Sequence, residues 1–164
     1  MNDEIYRLAE RVISIAREYD LSISTAESCT GGGIGAALTA ISGASKIYRG
    51  GIVSYSNDVK INLLNVPRDV IEKHGAVSQQ TAKAMADGAL NILSTDLAIS
   101  VTGIAGPTGG SIDKPVGTVW IGLAQKGHAT KAICFSFTDE GRESIRINAT
   151  IQSLKTLYET LQSH

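Results

Sequence analysis

At 164 residues, with 43% hydrophobic and 19% charged side chains, the chain has the composition of one ordinary soluble globular domain. Its net charge of −1 excludes a global attraction to nucleic acid or anionic membranes, and its few aromatics do not alternate with basic residues as a stacking platform requires. No apolar run approaches the roughly 18 residues of a membrane span, the start Met1-Asn2-Asp3-Glu4 is acidic rather than signal-like, and Cys29 and Cys134 are too few and too far apart for a disulfide framework or a zinc site.

Ile5, Leu8, Val12, Ile15 and Tyr19 fall on one helical stripe and predict an opening helix. Leu21 to Thr25 alternates apolar and small polar residues, which suits a short strand. The run Thr25-Ala26-Glu27-Ser28-Cys29-Thr30-Gly31-Gly32-Gly33 then leads into a helix over Ile34 to Ile41, with Thr30 as the expected N-cap. Gly51 to Tyr55 reads as a second strand, followed by a short helix from Asn57, its expected cap, to Leu64. Pro67 opens another short helix that ends near His74-Gly75. Ser78 caps a helix that places Ala82, Met85, Ala89 and Ile92 on one face, and Leu97 to Thr102 is a third strand. Val116 to Ala124 and Ala129 to Phe137 form a hairpin turning at Lys126-Gly127. The last helix starts near Asp139 and turns Ile147, Ile151, Leu154, Tyr158 and Leu161 inward. No linker or repeat interrupts this order, which predicts an α/β fold: one mixed sheet with helices on both faces.

Four clusters carry chemistry. The first N–H groups of a helix have no partner in the chain, so the turn after the first strand attracts phosphate or a developing oxyanion, with Ser28 just outside it. The turn lacks the Gly-Lys-Ser/Thr of a P-loop, the spaced glycines of a dinucleotide site and the Gly-x-Ser-x-Gly elbow of α/β-hydrolases. Cys29 is an alternative nucleophile, since a helix N-terminus lowers a thiol's pKa, although a strand-end cysteine is more often a small buried apolar residue. Thr102 to Gly110 is a second Gly-rich turn beyond a strand end, the edge where ligands collect in open α/β sheets. Lys60 falls in the first turn of its helix, where the dipole lowers a lysine pKa; it could then accept a proton from a serine, with Tyr55 as relay, or it could be a solvated surface lysine. Arg142 and Arg146 share a helix face, and Arg142, set against the dipole, suits a phosphate or carboxylate unless Glu143 or Asp139 pairs with it. His74, His128 and His164 occupy capping, hairpin and terminal positions and do not complete a triad.

Thr-Ala-Glu-Ser-Cys-Thr-Gly-Gly (25–32), Gly-x-Val-x-Tyr-Ser-Asn-x-x-Lys (51–60), His-Gly-Ala-Val-Ser (74–78), Gly-Ile-Ala-Gly-Pro-x-Gly-Gly (103–110) and Lys-Pro-Val-Gly-Thr-Val (114–119) together closely resemble the CinA C-terminal domain family, over nearly the whole chain. Its stand-alone members are nicotinamide-nucleotide amidases, also called nicotinamide mononucleotide deamidases. The resemblance implies a three-layer α/β/α sandwich with a mixed, mostly parallel five-stranded sheet. It implies hydrolysis of nicotinamide mononucleotide to nicotinate mononucleotide and ammonia, with no metal and no cofactor. Carried over by motif, Ser28 is the nucleophile, Lys60 its general base and Tyr55 a helper in proton transfer. Backbone N–H groups at Thr30 and Gly31 would serve the oxyanion, Arg142, Gly103 and Gly106 would hold the phosphate or ribose, and Gly32 and Thr102 complete the expected oxyanion and substrate-binding set. The nucleotide-hydrolase domain of full-length relatives does not precede these motifs, so a single deamidase domain over residues 1–164 is expected. A cytoplasmic, homodimeric or larger assembly with a small-molecule substrate, and with neither nucleic-acid nor membrane partners, completes the expectation. Two alternatives stand beside it: a non-catalytic nucleotide-binding module, and an accessory protein of DNA uptake or competence.

Overall fold

The computed structural model describes residues 2–164. In chain order the elements are α1 (Asp3–Glu18), β1 (Ile23–Glu27), α2 (Gly33–Thr39), a single 3₁₀ turn (Ala44–Lys46), β2 (Tyr48–Val53), α3 (Asn57–Leu64), α4 (Arg68–His74), α5 (Gln79–Ile92), β3 (Leu97–Gly103), β4 (Thr118–Gln125), β5 (Lys131–Ser136) and α6 (Arg142–Gln162). The five strands lie in the order β2-β1-β3-β4-β5. β1 pairs parallel with both β2 and β3, and β4 pairs antiparallel with β3 and β5, so only β4 runs against the other four. Helices α1, α2 and α6 pack together on one face, and α3, α4 and α5 on the other, giving the expected α/β/α sandwich. No helix among the described residues is long and apolar enough to cross a membrane.

Burial explains which strands sit in the middle. All five residues of β1 are buried, and so is β3 from Leu97 to Thr102, as parallel strands covered on both faces require. The parallel strands β1, β2 and β3 end on one edge, so Ser28, Ser54 and the 103–110 turn emerge side by side.

The boundaries differ from the sequence expectation where tertiary pairing overrides local pattern. β1 runs on to Glu27 rather than stopping at Thr25, because the Glu27 carboxylate is satisfied inside the fold and its backbone pairs with both neighbours. β2 starts at Tyr48, three residues early, with its glycines accommodated in the ladder to β1. Ser56, not Asn57, caps α3 by accepting from the Val59 N–H at 3.2 Å. Tyr19 and Ile92 are exposed rather than inward, and α1 instead buries Ala9, Ile13 and Ala16, small or offset positions that a hydrophobic stripe underweights. The Ser78 cap forms as expected, with the Thr81 N–H donating to its hydroxyl at 3.1 Å.

Candidate active site

Ser28 is fixed by the sheet it leaves. Its N–H donates to Val101 O at 3.0 Å, extending the ladder to β3, while the Ser54 N–H donates to Glu27 O at 2.7 Å on the β2 side. Lys60 reaches this edge from α3 and is buried to 1% exposure. Its Nζ lies 3.1 Å from Ser28 Oγ, 2.7 Å from Ser54 O and 3.5 Å from Tyr55 O. All three neighbours are neutral, and the one ion pair among the described residues, Lys155–Glu4, is elsewhere. Burial without a counter-ion pushes the Lys60 pKa down to about 8. The physical cause is therefore desolvation rather than the expected helix dipole, and the surface-lysine alternative is overturned.

The turn itself is built differently from the expectation. Thr30 does not cap α2. Gly32 occupies that position at φ 98°, and the buried carboxylate of Glu27 accepts from the N–H groups of Ile34 (3.0 Å) and Gly35 (2.8 Å) and from the Thr30 hydroxyl (2.6 Å). Glu27 thus satisfies the helix-end donors that the sequence assigned to a ligand. The Gly31 N–H, an expected oxyanion donor, instead closes the turn onto Ser28 O at 3.0 Å, and the Gly33 N–H donates to Thr30 O at 3.2 Å. Among the described residues, the N–H of Thr30 donates to no acceptor in the neighbouring backbone or side chains, whereas the Cys29 N–H is turned to its own thiol. Cys29 is buried, and burial pushes its thiol up to about 11, so the thiolate alternative fails on protonation at neutral pH.

Glu27 is the residue that sequence reasoning missed, although a lone acid inside an apolar strand signals a satisfied buried charge. Glu27→Ala would leave the Ile34 and Gly35 donors unpaired. It is expected to lower stability by about 2–4 kcal/mol in a urea titration, the cost of orphaning two backbone donors at about 1–3 kcal/mol each, the second only part-buried.

Ser28, Tyr55, Lys60, Thr102, Gly103 and Arg142 line one cleft of about 280 Å³. Cys29, Asn57, Ala76, Val77 and Ala105 complete its wall, and Thr30, Gly31, Gly32 and Gly106 are not among the residues that line it. Thr102 spends its hydroxyl proton on Ala76 O at 2.8 Å and fastens that wall. Gly103 packs so tightly that a Cβ would come within 2.7 Å of Val119. Gly106 holds a protein group rather than a ligand: its carbonyl accepts from Arg142 Nη1 at 2.7 Å. Arg142 Nη2 donates to the Tyr55 hydroxyl at 2.9 Å. Neither Glu143 nor Asp139 pairs with Arg142, so its charge stands uncompensated at the cleft mouth. Arg146, expected on the same face, does a different job: Nε donates to Cys29 O at 3.1 Å and Nη2 to Thr30 O at 3.2 Å, from the α1/α2/α6 side. None of the three histidines lines the cleft. Among the described residues, no group of three His, Cys, Asp or Glu is placed to hold a metal ion.

A family model described as the CinA C-terminal domain matches residues 5–161. A CinA-like protein of Synechocystis is 47% identical over 157 residues, covering 95% of this chain but 38% of that relative's length. Among solved structures, the competence/damage inducible protein CihA of Agrobacterium tumefaciens superposes with a TM-score of 0.95 at 41% identity, covering 99% of this chain and 98% of that one. A CinA superfamily protein of Klebsiella pneumoniae gives 0.93 at 32% identity, covering the whole of both chains.

Proposed function

Because the chain belongs to the CinA C-terminal domain family, we propose that its Ser28–Lys60 pair is the centre of a serine amidase that converts nicotinamide mononucleotide to nicotinate mononucleotide and ammonia. The observation that carries this reading is the buried Lys60 amine, without a counter-ion, 3.1 Å from the Ser28 hydroxyl. Arg142, unpaired by any carboxylate, supports an anionic substrate, because guanidinium binds a phosphate bidentately. The cleft volume suits the reacting end of a nucleotide, with the remainder reaching past Arg142 to solvent.

Neutral Lys60 takes the Ser28 proton as Oγ attacks the carboxamide carbon. The unpaired N–H of Thr30 receives the charge that develops on the carbonyl oxygen; one such donor is worth about 3–4 kcal/mol. The lysine proton then passes to the departing nitrogen, the C–N bond breaks, and a nicotinoyl ester remains on Ser28. Water enters, Lys60 accepts its proton, and the ester cleaves to the carboxylate with Ser28 restored. Tyr55 assists: its oxygen already accepts from Arg142, which leaves its own proton free for the leaving group or the entering water.

The reading is tested by ammonia release from nicotinamide mononucleotide with EDTA present, over a range of pH. Only neutral Lys60 can act as base, so kcat/KM should climb about tenfold per pH unit and level off near pH 8. Hydroxylamine should intercept the ester as the hydroxamate. Absence of ammonia at every pH overturns the reading. Release that is insensitive to pH between about 6 and 9 removes Lys60 as base.

A further inference from the structure

We propose that Arg146 is a positioning residue that polarises the Cys29–Thr30 peptide and turns the Thr30 N–H onto the acyl oxygen of the substrate. This rests on Ser28 being the nucleophile, as proposed above. Its first support is the bridge itself: one guanidinium donates to two successive carbonyls, Cys29 O at 3.1 Å and Thr30 O at 3.2 Å. In a planar trans peptide the N–H points opposite to the C=O. The Cys29–Thr30 bond is trans, the one cis bond of the described chain being Gly106–Pro107. Drawing Cys29 O toward Arg146 therefore aims the Thr30 N–H away from Arg146.

The two sides of that peptide face different cavities. Arg146 and Thr30 line a groove between α1, α2 and α6, while Ser28 and Cys29 line the catalytic cleft. The Thr30 N–H therefore lies on the face of the peptide plane opposite Arg146, on the side of the turn from which Ser28 and Cys29 open onto the cleft. Thr30 is 2% exposed and this donor has no acceptor among the described residues. A buried donor left unmade is costly, and an acceptor supplied by a reacting substrate removes that cost.

The second carbonyl contact works on the neighbouring peptide. Holding Thr30 O strengthens the dipole of the Thr30–Gly31 unit, whose N–H closes the turn onto Ser28 O at 3.0 Å. No carboxylate pairs with Arg146; the residue is exposed, so water alone offsets the charge it presents to these two peptides. Gly31 makes the approach possible: a Cβ there would stand 3.3 Å from Arg146 Nη2. Arg142 binds other groups entirely, so the two arginines separate in their kinetics: loss of Arg142 weakens substrate binding, and loss of Arg146 slows the chemical step.

The test uses Arg146→Met and Arg146→Lys in the whole chain, with turnover of nicotinamide mononucleotide measured beside labelling of Ser28 by a small alkyl fluorophosphonate. That probe forms an Oγ–P bond with loss of fluoride, and its phosphoryl oxygen occupies the oxyanion position without needing a nucleotide. Arg146→Met is expected to lower both kcat and the labelling rate about 30–100-fold with KM within about threefold of wild type, the signature of a donor used mainly in the transition state. Added guanidinium ion should restore part of the loss, and Arg146→Lys, which keeps the charge but cannot bridge both carbonyls, should fall between. If Arg146→Met fails to fold, the Lys variant decides alone: about a tenfold drop in kcat and labelling at unchanged KM upholds the proposal. Rates within about threefold of wild type, or a change in KM alone, overturn it. Wild type that labels at Ser28 without releasing ammonia removes the substrate reading and leaves this one standing. Wild type that does not label at Ser28 overturns this one.

Discussion

Lys60→Met is expected to lower kcat at least about a thousandfold, since removing the base of a nucleophile–base pair typically costs three to six orders of magnitude. The same variant separates catalysis from stability, because the lysine is a destabilising residue at neutral pH. In the unfolded chain its pKa is near the free value of 10.5, and in the fold it is about 8. Below pH 8 both states carry the proton, and the folded state bears the whole cost of a buried charge with no counter-ion. Between about 8 and 10.5 the unfolded state binds a proton that the folded state has released, so wild-type stability rises with pH, by about 1.4 kcal/mol per unit. Methionine has no such dependence. Its loss of a donor to Ser54 O is a constant offset at every pH. The difference in unfolding free energy between Lys60→Met and wild type should therefore shift by about 2 kcal/mol in favour of wild type from pH 7 to pH 9.5. Urea melts of both proteins at the two pH values measure it, and an unchanged difference would show that Lys60 is not held below its ordinary pKa.

This cost explains why the site was only partly legible in the sequence. Ser28, Tyr55 and Lys60 stand in recognisable motifs, and local patterning placed Ser28, Lys60 and Arg142 on a turn or helix that the fold retains, although β2 stops at Val53, short of Tyr55. The three-layer sandwich was legible too, because the helix and strand periods alternate and Lys126-Gly127 marks the one tight hairpin. What escaped was whatever depends on satisfaction across elements. The dipole and the Gly-rich turn suggested open helix-end donors, but Glu27 reaches seven and eight residues ahead to close them. Nothing in local spacing says that a strand residue caps the following helix. Arg142 and Arg146 share a helix face by periodicity, yet one points to Gly106 and Tyr55 and the other to the back of the nucleophile turn. That division depends on where the 103–110 turn and β1 meet α6, which is a tertiary fact. Lys60 was placed correctly beside Ser28 for an incomplete reason: its pKa falls through burial, which a sequence does not print.

Ser28→Ala is expected to reduce ammonia release at least about ten-thousandfold, more than any other single change at this site, because no neighbouring group can take over the attack. Cys29 is the nearest alternative, and its thiol is held protonated, at about 11, by the same burial that fills the core beneath it. The three histidines lie off the cleft. Substrate binding should survive, since Arg142 and the wall held by Thr102 do not depend on the serine hydroxyl. Calorimetric titration with nicotinamide mononucleotide should give a Kd within about threefold of the wild-type value, a difference under about 0.7 kcal/mol. The variant also tests the charge state of its neighbour. Ser28 Oγ accepts from the Lys60 ammonium at 3.1 Å, so its removal takes away one of the few groups that favour the protonated amine. The Lys60 pKa should then fall further below 8, and the pH at which stability begins to rise should fall with it. Loss of turnover with binding intact and an earlier rise in stability would tie nucleophile and base into one unit. Turnover within about tenfold of wild type would place the attacking atom elsewhere and leave the Ser28–Lys60 contact as a structural hydrogen bond.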